Sequence, residues 1–341
     1  MQKDRIPESV KSCCLRLREA GHAAHPVGGC VRDLLLGRTP GDWDVTTSAM
    51  PEQVQGLFPH TIPTGIRHGT VTVVIDGINI EVTTFRRESG YGDARHPDRV
   101  TFDTDLNGDL ARRDFTVNAM ALGADEEVID PYGGREDLAQ GIIRAVGDPM
   151  TRFSEDALRI LRGVRFAAQL GFAIEPETAA AMKACAPLVD QVSAERIKTE
   201  VEKILISPRP QWVGELVGLG VLNRFHTDWQ PCEWDALAEV PATPVGRWKA
   251  FCSMSGFPIT LLPMERAVRM AILHPEREVV KQLSLTGADL QRLGLQGETI
   301  GMAQRRLAEH IMDTPQDNTP ERLRCLLGEW GIIKSDQGKR M

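Results

Sequence analysis

The sequence predicts an α+β chain, with a mixed sheet-and-helix head before about residue 149 and an all-helical remainder after it. Three observations carry this. Alternating β-branched runs and glycine turns crowd the first 85 residues, and from Ser154 onward the apolar residues recur with helical spacing. At 341 residues the chain also exceeds the size at which one hydrophobic core stops growing, so several modules are expected.

Residues 9–21 read as an amphipathic helix stopped by Gly21, and "HPVGGCVRDLLLGRTPGDWDVTT" reads as strand, glycine turn, short helix, Pro/Gly loop and strand. "GTVTVVIDGINIEVTTF", residues 69–85, gives two β-branched runs joined by Asp76-Gly77, a hairpin signal. Residues 86–110 are polar and turn-rich, the character of a mobile functional segment. Beyond "DPYGGREDLAQGIIRAVGDP" the pattern is helical, interrupted at "SPRP" (207–210) and in the Pro-rich stretch 231–263.

Composition narrows the chemistry. With 5% aromatic residues, recognition by extended base stacking is disfavoured. A net charge of -7 votes weakly against a polyanion partner, although a local arginine cluster can bind phosphate on an acidic protein. Seven scattered cysteines without CxxC spacing suit reduced thiols rather than disulfides or zinc. No apolar run reaches membrane-spanning length and the first ten residues lack a signal-peptide core, so a soluble, cytoplasmic protein without membrane contact is expected.

Two motifs carry chemistry. In "GDWDVTTSAM" the i, i+2 spacing puts Asp42 and Asp44 on one side of a strand and Trp43 on the other. Paired carboxylates suit Mg²⁺, a hard cation shared with substrate phosphates; taken alone, the pair fits exposed strand acids equally well. Upstream, Gly28 and Gly29 allow backbone amides to approach a triphosphate and Arg32 adds charge-assisted bonds. Downstream, Glu81 on the second hairpin strand is a candidate third acid, or an exposed strand glutamate.

The second motif is "SEDALRILRGVRFAAQLG", expected as one helix over 154–171 with Ser154 as N-cap and Gly171 as stop. Ala157, Ile160, Leu161, Val164 and Ala168 form its apolar stripe; Glu155, Asp156, Arg159, Arg162 and Arg165 lie opposite. A solvated charged face is the plainer explanation. The sharper one is a template: an ionised Asp156 accepts and Arg159 donates, matching the pairing edge of cytosine or adenine and mismatching guanine and uracil.

With these residues in hand, the chain resembles the bacterial CCA-adding tRNA nucleotidyltransferases, in the class that includes bacterial poly(A) polymerases and belongs to the polymerase β superfamily. "GGCVRDLLLGRTPGDWDVTT" resembles the head motif, "LARRDFTVNAMA" (110–121) the ribose and nucleotide motif, and "EDALRILRGVRFA" (155–167) the base-selecting motif. The resemblance implies a polymerase β-like head at 1–148, a helical neck at 149–210, a body at 211–280 and a tRNA-binding tail at 281–341. It implies Asp42 and Asp44 as Mg²⁺ ligands, and Gly29 and Arg32 at the triphosphate. Arg113, Asp114 and Asn118 fall at the ribose or phosphate, Asp156 and Arg159 at the base, and Arg162 and Arg165 at phosphate. The implied reaction adds CCA to the 3′ end of tRNA from CTP and ATP. Addition of the final A alone, or poly(A) synthesis, are the near alternatives. "TFRRESGYGDARHPDRV" resembles the full-length flexible loop of the CCA-adding members. A rival of another class is a phosphatase with a DxDxT nucleophile, since "DWDVT" fits that pattern; there the acids end a buried strand, whereas here the strand follows them.

Overall fold

The computed structural model describes residues 5–66, 69–89, 99–101 and 105–333. The head begins with α1 (Glu8–Glu19), β1 (Ala24–Pro26), α2 (Gly29–Leu35), β2 (Trp43–Thr47), α3 (Pro51–Leu57), β3 (Thr61–Gly65), β4 (Thr70–Ile75) and β5 (Ile78–Thr84). These strands form one sheet in the order β1-β2-β5-β4-β3. Within it β2 and β5 run parallel and the other neighbours antiparallel. The expected hairpin is present: Asp76 and Gly77 both adopt positive φ, 51° and 77°, the primed-turn geometry whose twist suits the flanking strands.

Side chains alternate across this sheet. Trp43, Val45, Val71, Val73, Ile80 and Val82 are buried in the same core as Val10, Cys13, Leu17 and Val54 of α1 and α3. The opposite face of β2 and β5 carries Asp44, Thr46, Glu81 and Thr83 and is polar.

Next come β6 (Arg87–Ser89) and β7 (Arg99–Thr101), α4 (Leu106–Ala111), a single 3-10 turn at Thr116–Asn118, β8 (Ala121–Leu122), β9 (Val128–Ile129), α5 (Gly134–Gln140) and β10 (Ile142–Ile143). Residues 90–98 and 102–104 of the segment expected to be mobile lie outside the described residues. The "DPYGG" motif turns out to be a helix start. Asp130 accepts from the amides of Gly134 and Arg135, both at 2.8 Å, and Gly133 takes the left-handed conformation. A Cβ on Gly134 would sit 2.2 Å from the Thr116 carbonyl oxygen, so α5 presses backbone-to-backbone on the turn that carries Asn118.

The remainder is helical: α6 (Pro149–Glu155), α7 (Leu158–Leu170), the two-residue β11 (Ala173–Ile174), α8 (Pro176–Cys185), α9 (Ala194–Leu205), α10 (Val213–Gly218), α11 (Pro244–Ser255), α12 (Arg266–Leu273), α13 (Glu276–Val280), α14 (Gly287–Arg292), α15 (Glu298–Asp313) and α16 (Pro320–Glu329). The single helix expected over 154–171 is in fact two. Asp148 and Pro149 start the first one, with the Asp148 carboxylate accepting from the Thr151 amide at 2.8 Å and proline at the first helical position. Ser154 is therefore inside α6, donating to the Met150 carbonyl at 2.8 Å, and not an N-cap. Asp156 is extended, and its Oδ1 accepts from the Leu158 amide at 3.0 Å. That short-range bond competes with helix continuation and restarts the chain as α7. The apolar stripe holds: Ala157, Ile160, Leu161, Val164 and Ala168 are fully buried.

One contiguous core runs from Ile6 to Val268, and a second gathers Leu283 to Leu327. Because the Gly134 contact is with backbone, Gly134→Ala should lower stability by about 1–3 kcal/mol, read from urea unfolding. An unchanged midpoint would mean that α5 shifts freely away from the turn.

Candidate active site

Parallel pairing of β2 with β5 sets Asp44 beside Glu81 in register, and neighbours in register point to the same face. Asp42, one residue before β2, is exposed, whereas Asp44 is half-buried. Burial pushes the Asp44 carboxyl up to about 6; Arg113 opposes that, and Glu81 and Asp42 reinforce it. Among the described residues the carboxylates of Asp42, Asp44 and Glu81 engage no hydrogen bond or ion pair, an unusual state for three neighbouring acids.

The cationic side is built from the segment after α4. Asp109, fully buried, accepts from Thr46 Oγ1 on β2 at 3.0 Å and from Arg112 at 2.8 Å, and lies 3.6 Å from the Arg113 guanidinium. It thereby ties the arginines to the strand that carries Asp44. Arg113 reaches across Gly28, where a Cβ would fall 2.6 Å from its Nη1, and φ there is +81°. Glycine at 28 thus makes room for a guanidinium, a reason the sequence did not disclose. Arg113 Nε is buried without a partner.

Asp114 lies deeper. It accepts from its neighbour's amide (Phe115, 2.9 Å), from Asn118 Nδ2 at 3.3 Å and from Arg162 Nε at 2.7 Å. Burial alone would raise its carboxyl, but the Arg162 charge and these bonds override burial and bring it to about 2. Asn118 Oδ1 in turn accepts from Arg32 Nη1 at 2.7 Å, while Arg32 also holds Asp33 at 2.8 Å. A chain of contacts therefore joins α2, the 3-10 turn and α7.

On α7, Arg165 pairs with Glu200 of α9 at 2.6 Å. Phe166, buried between these groups, has the guanidinium carbons of Arg165, Arg32 and Arg162 at 4.0, 5.4 and 5.5 Å from its ring centroid. Together these elements enclose a polar cleft of about 350 Å³, lined by Gly29, Asp42 and Asp44 and by Arg32, Arg113, Asp114, Asn118, Arg162 and Arg165.

Gly28, Glu81, Asp156 and Arg159 do not line that cleft. Gly28 and Glu81 adjoin it through Arg113 and Asp44. Asp156 Oδ2 accepts from Arg196 Nη2 at 2.8 Å. Arg159 is spent on Glu155 at 2.6 Å and on the carbonyls of Arg152 and Arg112 at 2.9 and 3.1 Å. These three bonds leave two of its five N–H groups. The sequence reading missed Asp109, Asp33, Glu200 and Phe166. Only Asp109 had a local signal, its i, i+3 and i, i+4 spacing to Arg112 and Arg113.

Asp42 and Asp44 share one polar cleft with Arg32, Arg113, Arg162 and Arg165, a set of groups that suits a nucleotidyltransferase. Residues 24–144 match the family described as the Poly A polymerase head domain, and residues 171–230 match one described as a probable RNA- and SrmB-binding site of polymerase A. The CCA-adding enzyme of Limosilactobacillus reuteri (strain DSM 20016) is 39% identical, over 79% of this chain and 74% of its own length. That of Geobacillus sp. (strain WCH70) is 54% identical over 56% of this chain and 48% of its own length. The crystal structure of the Bacillus stearothermophilus CCA-adding enzyme in complex with CTP superposes with a TM-score of 0.68 at 33% identity, covering 94% of this chain and 82% of that one. The chain belongs to the CCA-adding enzyme family.

Two predictions follow from the charges. The raised Asp44 pKa means that its ionised form opposes folding: the contribution is favourable below the ordinary carboxylate pKa and is lost as pH rises through about 6. In EDTA at pH 8, Asp44→Asn should therefore stabilise the protein by roughly 1–2 kcal/mol, with the gain gone near pH 3.5; destabilisation at pH 8 would contradict the assignment. Asp114 has the opposite sign. Its stabilisation is present above the ordinary carboxylate pKa and disappears as pH falls toward about 2. Asp114→Asn should cost about 2–3 kcal/mol at pH 7, discounted because Arg162 is partly exposed, and thermal melts should show the deficit shrinking in acid.

Proposed function

We propose that this chain adds CCA to the 3′ end of tRNA from CTP and ATP, releasing pyrophosphate, with Asp42 and Asp44 as the metal-binding acids and Glu81 as the third acid. The observation that carries this is the set of carboxylates without an ion-pair partner among the described residues, in and beside a cleft that Arg32, Arg113, Arg162 and Arg165 also line. No group of three or more His, Cys, Asp or Glu side chains among the described residues forms a ready-made metal cage. Mg²⁺ does not require one, since it takes one or two carboxylates, here Asp42 and Asp44, and completes its shell with water and substrate phosphates. The ion would lower the charge on the incoming triphosphate and polarise it.

The chain's own groups supply the rest. Arg32, Arg113 and Arg162 face the triphosphate, Gly29 lets it approach the backbone, and Gly28 seats Arg113. Asn118, fixed between Arg32 and Asp114, suits the ribose, and Arg165 a phosphate. Catalysis is then chiefly positioning and charge stabilisation in an in-line displacement. Asp156 and Arg159 choose the base with the lone pairs and the two N–H groups that their internal bonds leave over. Residues 1–148 act as the catalytic head and 149–210 as the neck. Residues 211–280 form the body, and 281–341, which hold the separate core, the tRNA-gripping tail. Among the described residues no helix is long and apolar enough to cross a membrane, and the free thiols suit a reducing cytoplasm.

The direct test is labelled CTP and ATP with tRNA transcripts ending before CCA, before CA and before A. All three should be completed to CCA; extension of the last alone, or an A-tail, would replace this reading with a neighbouring one. Asp42→Ala should reduce incorporation by at least about 10³-fold with tRNA binding intact. Asp156→Ala should relax discrimination against UTP and GTP, so an unaltered product profile would dismiss the template.

A further inference from the structure

Every arginine of the cleft's α7 side meets one aromatic ring. Arg165, Arg32 and Arg162 place their guanidinium carbons at 4.0, 5.4 and 5.5 Å from the Phe166 centroid, all inside the roughly 6 Å range of cation–π attraction. Phe166 itself is buried and lines the cleft. Three like charges gathered around one residue repel each other, and each has a carboxylate in ion-pair distance: Asp33 for Arg32, Asp114 for Arg162 and Glu200 for Arg165. Those acids come from three separate places, α2, the segment after α4, and α9.

We propose that Phe166 is a positioning residue for nucleotide binding: its ring attracts the three guanidinium groups together through their faces and leaves N–H edges for the polyphosphate. The proposal rests on the functional reading above. An acid placed there instead would gather the cations equally well but would neutralise them and repel the nucleotide. An aliphatic side chain would fill the space without attracting any of them. An aromatic ring does the gathering while leaving the net charge of the cleft untouched. The position is also fixed from behind, since Phe115 packs edge-on to Phe166 with centroids 5.8 Å apart.

The test replaces Phe166 with mono-, di- and trifluorophenylalanine, which keep the shape of the ring while draining its negative face, and includes Phe166→Leu. Affinity for CTP is measured on the full chain by equilibrium dialysis, KM and kcat by incorporation, and the thermal midpoint alongside. The dissociation constant and KM for CTP should rise stepwise with fluorination, by about tenfold across the series, with kcat within about threefold and the midpoint constant. Fluorination of Phe115, which has no guanidinium over its face among the described residues, should leave CTP affinity unchanged. Affinity that ignores fluorination at Phe166 while the midpoint holds overturns the ring's role. So does an equal loss on fluorinating Phe115. A parent chain that binds no CTP and incorporates neither nucleotide overturns the functional reading instead, and the two failures are thereby told apart.

Discussion

The structure turns on one pairing, β2 alongside β5 in parallel, which sets Asp44 next to Glu81 on the polar face of the head sheet. Like charges in register are unfavourable, and half-burial raises the cost. Arg113 offsets part of it from the side, but it is held 3.6 Å from Asp109 and does not close on Asp44. The acids therefore remain short of positive charge. The fold sustains this because the other face of the same strands, with Trp43, Val45, Ile80 and Val82, is a continuous core. Burial of such side chains at about 1.5–3 kcal/mol each comfortably exceeds the repulsion.

The arginines of the cleft obey the opposite logic. They are satisfied almost to the point of neutrality by Asp33, Asp109, Asp114 and Glu200, so that the cleft is lined by ion pairs and not by bare cations. A guanidinium paired along one edge keeps further N–H groups, which lets the same residue hold the protein together and meet a phosphate. This dual use explains why Asp114, far below the ordinary carboxylate range, belongs to the architecture as much as to the site. It fastens α7 to the segment that positions Asn118.

Much of this was legible in the sequence, and the reasons differ by residue. The Asp76-Gly77 hairpin and the α7 stripe were readable because each is a local pattern; the strand spacing expected to place Asp42 with Asp44 does not apply, since Asp42 precedes β2. Asp109 was only half-visible: its helical spacing to Arg112 and Arg113 is local, but its bond to Thr46 spans 63 positions. Phe166 and Glu200 gave no sign, since an aromatic in an amphipathic helix and a glutamate on the next one but one look like core and surface. Ser154 misled for a simple reason. It has the chemistry of an N-cap, but Asp148-Pro149 lies six residues earlier and offers both a cap and a preset φ.

The break at Asp156 bears on the proposed base selection by Asp156 and Arg159. Had 154–171 been one helix, Asp156 and Arg159 would be neighbours on its exposed face, free to swing with their long side chains. Instead Asp156 sits in the joint between α6 and α7, its two oxygens bound to the Leu158 amide and to Arg196, and Arg159 is buried under three bonds. Fixed donors and acceptors discriminate better than mobile ones, because a mismatched base edge leaves them unpaired and they have no rotamer in which to escape. The interruption that sequence periodicity fails to anticipate thus holds Asp156 and Arg159 in place, which is what the proposed pairing edge would require.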